Sequence, residues 1–335
     1  MIYYKTGPQD DPYYDLWNSP EWLFPFNNLD VLVFPKILTV EPVNICQNKC
    51  LYCSTRLMQR RTGYMSLEVM GRVADEAAQY KASVRFGGFG EPLLHRGISK
   101  LVEQCKARNI RTTIFTNATP LNKDMMEEFC ILGLDEIRFS SSGITPEEHN
   151  DIRRKSDYEK DFKEKILMAH EVKLRINTVK PYVTIYTNVF DYGRENFEKQ
   201  KAEYVSYYLN YVDKIDIDLT NLSRVKELEE VKAYYPKQTI EQKYKPCVTL
   251  YHKFIIHWNG DVFACDIPYD FEEAYFLGNL NDNVSMFDMY HSEKIKNLRR
   301  MTETFQHEHL KLCKDCYSST YKYEQLKAEV SGGKI

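Results

Sequence analysis

The sequence predicts an α/β protein in which a partial (β/α)6 TIM-like barrel precedes a small α+β domain. Short β-rich runs alternate with helical patterns from residue 37 onward, and six such units occur before the pattern changes. Hairpin-like segments after residue 245 predict the small domain. We therefore expect an N-terminal extension over 1–36, a barrel over 37–235 and a cysteine-containing domain over 236–335.

The barrel strands are expected at Ile37–Val43, Ser83–Gly88, Arg111–Asn117, Glu136–Ser141, Tyr182–Val189 and Lys214–Leu219. Helical patterns lie between them, at Ser66–Tyr80, Gly97–Asn109, Asn122–Leu132, Lys160–Val172 and Glu195–Asn210. Because crossover helices return the chain to the same edge of the sheet, the strands should be parallel. Six units are too few to close an eightfold barrel, so we expect an open one with its active groups at the C-terminal strand ends.

Aromatic residues crowd the N-terminal extension, and we expect this segment to pack as a strap over one end of the core. A role in contacting substrate is the alternative. The residues concerned are Tyr3, Tyr4, Tyr13, Tyr14, Trp17, Trp22, Phe24 and Phe26.

Composition argues against several classes of partner. The 335 residues carry a formal charge of -3, so the sequence has no excess of basic residues that would indicate nucleic-acid binding. No apolar run approaches the roughly 20 residues that a membrane span needs, and no signal peptide is evident, so we expect a cytoplasmic protein. In that compartment nine cysteines indicate metal binding or catalysis better than disulfides.

Three cysteines follow the first predicted strand, at Cys46, Cys50 and Cys53. Thiolates suit zinc or an iron–sulfur cluster. A four-iron cube with three protein ligands leaves one iron open to a small molecule. A structural zinc site, as in a non-catalytic zinc-binding module, needs a fourth ligand, and the nearest histidine is the distant His95.

This C-x3-C-x-aromatic-C loop, with Tyr52 as its aromatic residue, resembles the signature of the radical S-adenosylmethionine (SAM) superfamily. The resemblance implies a 4Fe–4S cluster on the three cysteines and SAM bound at the open iron. It also implies a 5′-deoxyadenosyl radical that abstracts hydrogen from substrate, with the protein orienting the cofactor.

The glycine-rich stretch from Gly87 to Pro92 resembles the Gly-Gly-Glu motif of the same family, which holds the amino group of SAM. The resemblance assigns that contact to Glu91. It also implies that the backbone at Gly88 and Gly90 lies close to the bound ligand. Phe89 departs from the family pattern, which has a glycine there.

Further SAM contacts follow from the resemblance alone. It places Asn117, at the end of the third strand, near the ribose, and it assigns a contact with SAM to Ser140, in the serine-rich end of the fourth strand. It assigns the contact with the methionine carboxylate to Arg153, because a guanidinium can donate two parallel hydrogen bonds to a carboxylate. Arg154 is the alternative residue for this contact.

A second set of cysteines consists of Cys247, Cys265, Cys313 and Cys316. Four thiolates satisfy either zinc or a 4Fe–4S cluster, and the cysteines alone do not decide between them. Together with the Trp258-Asn259-Gly260 turn, they resemble the auxiliary-cluster domain of the SPASM/Twitch subgroup. Since no cysteine follows Cys316, the resemblance is to the Twitch form with one auxiliary cluster.

A fully ligated second cluster is suited to accepting an electron. The resemblance, which extends to the aminocyclitol dehydrogenase of butirosin biosynthesis, implies two-electron oxidation of a secondary alcohol on a sugar or aminocyclitol. It also implies a flavodoxin- or ferredoxin-type reductant. We expect Arg153, Glu195 and Asp266 to handle substrate or protons.

Two other radical reactions remain alternatives. A sugar epimerase must return a hydrogen atom, often from a thiol, but Cys105 and Cys130 fall in predicted crossover helices where a structural role is expected. Peptide maturation often uses a separate peptide-binding domain before the barrel, and 36 residues are too few for one. A small-molecule substrate is therefore favoured.

Overall fold

The computed structural model describes residues 1–17, 33–191, 193–220, 222, 224–225, 227–232, 246–314 and 316. The break predicted near 234–245, the boundary between 235 and 236, and the aromatic residues Trp22, Phe24 and Phe26 lie outside the described residues.

One curved sheet organises the described chain. Its strands are β1 (Ile2–Tyr4), β2 (Ile37–Val40), β3 (Ser83–Phe86), β4 (Thr112–Thr116), β5 (Glu136–Ser142), β6 (Tyr182–Val189), β7 (Lys214–Leu219), β8 (Lys253–Ile256), β9 (Asp261–Phe263) and β10 (Phe276–Asn279). The strands from β2 to β7 pair in parallel and in sequence order. The predicted α/β class and partial barrel are thus confirmed.

The crossover helices between the barrel strands cover the outer face of this sheet. The described residues contain eleven α-helices. They are α1 (Tyr14–Trp17), α2 (Leu67–Gln79), α3 (Ile98–Lys106), α4 (Lys123–Leu132), α5 (Pro146–Arg153), α6 (Glu164–Ile176), α7 (Phe197–Tyr208), α8 (Glu229–Lys232), α9 (Thr249–His252), α10 (Met286–His291) and α11 (Glu293–Glu303). A π-helix at Tyr158–Lys163 leads directly into α6.

Local signals explain where the crossover helices begin. Ser66 accepts a hydrogen bond from the Val69 amide and so caps α2, and Asn122 does the same for α4. The α5 helix was missing from the sequence-based prediction, although Thr145 caps it and Pro146 opens its first turn. None of the described helices is long and apolar enough to cross a membrane.

The small C-terminal domain continues the barrel sheet instead of forming a sheet of its own. Strand β8 pairs in parallel with β2, and β9 and β10 follow as antiparallel neighbours. The predicted hairpin turn is confirmed, with Gly260 in the left-handed conformation at φ 89°. This pairing fixes the domain against the first barrel strand.

The interior face of the barrel is polar, in contrast to the face beneath the helices. Alternate residues of a strand point to opposite sides, so the apolar residues of β5, Ile137 and Phe139, face the helices. Arg138 lies between them in sequence and points inward, where it packs over Phe115. We call the polar interior the chamber, lined by Arg85, Phe115, Arg138, Tyr186, Asp216, Asp218 and Asp266.

The N-terminal extension closes the end of the barrel opposite the C-terminal strand ends. Strand β1 pairs antiparallel with β7. Tyr13 is buried and accepts a hydrogen bond from Thr113, and Asp11 forms a fully buried ion pair with Lys214. The expected strap is confirmed for its described part.

We predict that Asp11→Ala destabilises the protein, because it leaves the Lys214 ammonium buried and unpaired. Breaking a buried pair typically costs about 3–5 kcal/mol, which should lower the thermal midpoint by at least about 5 °C. Asp10→Ala is the control, since Asp10 is exposed. Equal midpoints for the two variants, measured by circular dichroism on anaerobically prepared protein, would show that the pair contributes nothing.

Candidate active site

The loop after β2 brings together the three cysteines of the first set. Burial, followed by the nearby charges of Glu91 and the other two thiols, raises the pKa of Cys46 to about 12. Burial also raises the pKa of Cys50, and Cys53 opposes the ionisation of Cys50 further. The Leu51 amide donates to the Ile152 carbonyl at 2.9 Å, which fixes the loop against α5. The three thiols are therefore electrostatic neighbours in one buried place.

Close backbone approach joins the glycine-rich loop to the cysteine loop. A Cβ on Gly90 would lie 1.9 Å from the Val43 carbonyl oxygen, so no side chain fits there. Gly88 has φ 108°, which L side chains rarely adopt. These two glycines allow the loop after β3 to lie directly against the segment that precedes Cys46.

The buried carboxylate of Glu91 connects this loop to the end of β4. It accepts hydrogen bonds from the Thr116 hydroxyl at 2.6 Å, the Asn117 amide at 2.7 Å and the Leu93 amide at 3.1 Å. A carboxylate has about four acceptor positions, so about one remains for an ammonium group. Asn117 in turn donates from its side chain to the Cys46 sulfur at 3.5 Å.

Arg153 points into the site from the end of α5. Its guanidinium donates to Ser142 at 3.2 Å and to the Tyr52 hydroxyl at 3.3 Å. Burial opposes its charge, but Tyr52, Cys50, Cys46 and Glu91 raise its pKa overall. The guanidinium thus lies beside the cysteine loop.

Arg154 and Ser140 differ from Arg153 and Ser142 in their surroundings. Arg154 is exposed and pairs with Glu230 on the surface. Ser142, rather than Ser140, contacts Arg153 and Tyr52, although both serines belong to the inward face of β5. Ser140 lies half-buried one inward position nearer the chamber.

The second set of cysteines is also gathered and buried. Burial raises the pKa of Cys247 to about 11 and that of Cys313 to about 12, and neighbouring thiols add to both effects. Cys265 has both Cys313 and Cys247 as electrostatic neighbours, and Cys316 adjoins Cys247. Among the residues that the structure describes, no three ligating side chains surround a point as the ligands of a single metal ion do.

Glu41 and Arg60 were not predicted from the sequence, yet they join the two halves of the site. Arg60 donates from both terminal nitrogens to the fully buried Glu41 and from Nε to the Tyr269 carbonyl at 2.7 Å. Glu41 also accepts from the Phe89 amide at 3.3 Å. The sequence signal that could have indicated Glu41 is an acidic residue directly after the buried strand β2.

The remaining predicted residues differ in position. Asp266 points into the chamber and pairs with Arg85 on β3 at 3.2 Å. Burial alone would raise its pKa, but Lys253, Arg224 and Arg85 together lower it to about 2. A carboxylate of that pKa is a weak base, so a binding role suits it better than proton transfer. The side chain of Glu195 is exposed before α7, without a contact to the cysteine loop among the described residues.

Two family models match the chain, the radical SAM superfamily over residues 40–198 and the SPASM iron–sulfur cluster-binding domain over 247–317. The first contains the cysteine loop, the glycine-rich loop and Arg153, and the second contains all four cysteines of the second set. The chain belongs to the radical SAM superfamily. It carries a SPASM domain, as the second set of cysteines indicated.

Similar proteins support the same fold. The chain is 28% identical to the tungsten-containing aldehyde ferredoxin oxidoreductase cofactor-modifying protein of Pyrococcus furiosus over 52% of its own length and 48% of that protein, about half of it. The structure of BtrN in complex with AdoMet and 2-DOIA aligns with a TM-score of 0.53 at 15% identity, covering 85% of this chain and 93% of BtrN. SuiB of Streptococcus suis bound to precursor peptide SuiA aligns with a TM-score of 0.57 at 17% identity, covering 86% and 72%.

Radical SAM and SPASM domains use 4Fe–4S clusters and SAM, and the site fits these groups. The Asn48 amide is buried inside the cysteine loop, and neither of its polar atoms has a hydrogen-bond partner within the described ranges. A buried amide without a partner is costly unless a ligand completes it. Cys46, Cys50 and Cys53 would hold the first cluster, and Cys247, Cys265, Cys313 and Cys316 the second.

We predict that Arg153→Gln weakens SAM binding about 10- to 100-fold, because a charge-assisted hydrogen bond to the methionine carboxylate is lost. Arg154→Gln is the matched control and should leave the affinity unchanged, since Arg154 lies on the surface. Isothermal titration of SAM into cluster-loaded protein measures both. If the two variants bind alike, Arg153 is not the carboxylate ligand.

Proposed function

We propose that this radical SAM enzyme oxidises a secondary alcohol of a sugar or aminocyclitol to a ketone. The observation that carries the proposal is the position of Asp266. This residue directly follows Cys265 in the second set of cysteines, and its carboxylate lies in the chamber, 3.2 Å from Arg85 of β3. A ligand of the second cluster is therefore one residue away from the space where substrate would bind.

The reaction balances as a two-electron oxidation. SAM and the first cluster, held by Cys46, Cys50 and Cys53, would supply a 5′-deoxyadenosyl radical when one electron is delivered. One hydrogen atom would leave the carbinol carbon and complete 5′-deoxyadenosine, and the hydroxyl proton would leave to a base. The second cluster, held by Cys247, Cys265, Cys313 and Cys316, would accept the remaining electron, and a carbonyl would remain. We propose a flavodoxin- or ferredoxin-type reductant for the first electron.

The chain's own residues would orient the reactants and exclude water. Arg153 and Glu91 would fix the two charged ends of the methionine, since one presents a cation and the other a carboxylate beside the cysteine loop. Tyr13 of the N-terminal extension is buried against Thr113 at the opposite end of the barrel, which would limit the entry of solvent there. A closed chamber limits side reactions of a radical.

One observation favours oxidation over epimerisation. Cys105 and Cys130, the cysteines outside both sets, are buried in α3 and α4 among core residues, which leaves them away from the chamber as hydrogen donors for epimerisation. BtrN, the butirosin radical SAM dehydrogenase, and SuiB both align with this chain, so the shared fold does not distinguish oxidation from peptide modification. Peptide modification remains the second candidate, because the SuiB structure holds a precursor peptide.

We predict that Cys313→Ala uncouples the reaction. The variant should still form 5′-deoxyadenosine, but the yield of carbonyl product per 5′-deoxyadenosine should fall at least about tenfold, since the electron acceptor is lost. Cys50→Ala should form neither compound, and Cys130→Ala, outside both sets, is the control. Anaerobic turnover with aminocyclitols and sugars, followed by mass spectrometry, measures both products.

Three results would contradict the proposal. An isomer without a carbonyl product would indicate an epimerase. A modified peptide, with no reaction of sugars or cyclitols, would indicate peptide maturation. An unchanged product ratio in Cys313→Ala would show that the second set of cysteines does not accept the electron.

A further inference from the structure

Two carboxylates face the chamber from strand β7. Ile215 and Ile217 of this strand are fully buried in the core beneath the helices. Because alternate residues of a strand point to opposite sides, Asp216 and Asp218 face inward. The inward-pointing Arg138 of β5 exerts the strongest charge effect on the pKa of Asp216, which agrees with this orientation. Asp216 therefore lies in the chamber.

The other carboxylates of the chamber already have partners. Asp218 accepts hydrogen bonds through both of its oxygens, from the Leu219 amide at 2.9 Å and from the Tyr186 hydroxyl at 3.5 Å. The Asp266 carboxylate pairs with the Arg85 guanidinium at 3.2 Å. Partners of this kind stabilise the charged form of a carboxylate and so weaken it as a base.

The Asp216 carboxylate differs from these two. It receives neither a hydrogen bond nor an ion pair from any residue whose position the structure describes. Burial raises its pKa, and the charge of Asp218 adds to this effect, although Arg138 and Lys214 oppose it. The pKa of Asp266, in contrast, is lowered to about 2. Asp216 is therefore a stronger base than Asp266.

The titratable groups around Asp216 come from four strands. Burial raises the pKa of Tyr4 to about 12 and that of Tyr186 further, so both phenols stay neutral at neutral and acid pH. Lys214 is held by its buried ion pair with Asp11. The groups that act on Asp216 are Arg138 on β5, Tyr186 on β6, Lys214 and Asp218 on β7, and Tyr4 and the Met1 ammonium at β1.

The pairing of β5, β6 and β7 gives the depth of Asp216 in the barrel. Asp218 shares its register position with Ser142, which contacts Arg153 beside the cysteine loop. Asp216 pairs with Tyr186, one inward position further from that loop. Two residues of a strand span about 6.6 Å, so a sugar ring that lies below the cysteine loop would reach Asp216.

We propose that the Asp216 carboxylate is the base that takes the hydroxyl proton of the substrate. The inference rests on the proposed oxidation and names a residue for its proton transfer. Once a hydrogen atom has left the carbinol carbon, the hydroxyl group of the resulting radical is more acidic than that of an alcohol, so a carboxylate can accept its proton.

This step balances with the oxidation. The O–H bond breaks, its proton goes to Asp216, and its electron pair stays on the oxygen. Loss of one electron to the second cluster then leaves the C=O double bond. Asp216 returns the proton to solvent when the product leaves.

Carbonyl formation by Asp216→Asn tests the inference, in anaerobically reconstituted enzyme with SAM and dithionite. The probes are glucose, glucosamine, scyllo-inositol and streptamine. With each probe that the unmodified enzyme oxidises, the variant should form the carbonyl about 100-fold more slowly or less, because an amide cannot accept the proton. 5′-Deoxyadenosine should still form, since the hydrogen atom leaves before the proton. Asp75→Asn is the control, because Asp75 pairs with Arg108 on the outer surface.

Formate separates proton transfer from a loss of structure or of the electron acceptor. Asp216→Ala leaves space for a small carboxylate, so formate should raise its carbonyl formation about tenfold or more. Formate should not restore Cys313→Ala, in which the electron acceptor is lost. Iron content and the affinity for SAM show whether each variant has folded.

The pH dependence gives a third measurement, taken over the range in which iron content is constant. A protonated carboxyl cannot accept a proton, so carbonyl formation by the unmodified enzyme should fall as the pH falls through the raised pKa of Asp216. This acid limb should be absent from Asp216→Asn. In Asp216→Glu, which keeps a carboxylate, it should move to a different pH.

Four results would overturn the inference. They are an unchanged rate of carbonyl formation in Asp216→Asn, formate rescue of Asp266→Ala but not of Asp216→Ala, an acid limb that persists in Asp216→Asn, and an unmoved limb in Asp216→Glu. The last result decides the matter even where the asparagine and alanine variants take up no iron.

The two proposals fail separately. Carbonyl formation by the unmodified enzyme, together with any of these four results, would leave the oxidation in place and remove the role of Asp216. The absence of a carbonyl product from all four probes would remove the oxidation and the role of Asp216 with it.

Discussion

The buried Glu91 carboxylate determines the relative position of three loops at the C-terminal end of the barrel. Through its side chain it accepts hydrogen bonds from Thr116 and Asn117 at the end of β4, and through its backbone amide it donates to the Ile45 carbonyl at 2.9 Å. The Cys46 loop, the glycine-rich loop and the end of β4 thereby become one unit. Because Gly90 admits no side chain against Val43, this arrangement depends on both the carboxylate and the glycine beside it. Burial without such partners would be costly for an ionised group.

Parallel pairing of β8 with β2 gives the protein its second essential constraint. Because of this pairing, the first strand of the SPASM domain lies directly beside the first barrel strand. Cys265 and Asp266 follow soon afterwards in the chain and lie at the wall of the chamber. Glu41, at the end of β2, strengthens this junction through Arg60 and its contact with the Tyr269 carbonyl. The chamber therefore lies between two sets of cysteines. The oxidation proposed above, in which a hydrogen atom leaves at one end and an electron at the other, would use this geometry.

The sequence predicted the parallel strands and both sets of cysteines, because alternating patterns and thiol spacing are local properties of the chain. Ser142, which contacts Arg153, was not singled out, since the pattern gives the inward face of β5 but not how far along it the Arg153 side chain reaches. Glu41 was missed because its partners, Arg60 and Trp258, come together only through the β2–β8 pairing. Arg85, Arg224 and Lys253, the cations around Asp266, were missed for the same reason, because they lie far apart in sequence. Long-range contacts of this kind have no local signature.

The central claim is that the loop from Cys46 to Cys53 holds a cluster with one iron available to SAM. Mössbauer spectroscopy of protein loaded anaerobically with ⁵⁷Fe tests it most directly, with and without SAM. The account predicts that SAM alters the parameters of a single iron, in the first cluster, and leaves the SPASM cluster unchanged. Spectra that SAM does not change, or protein that takes up zinc in place of iron and sulfide, would contradict it.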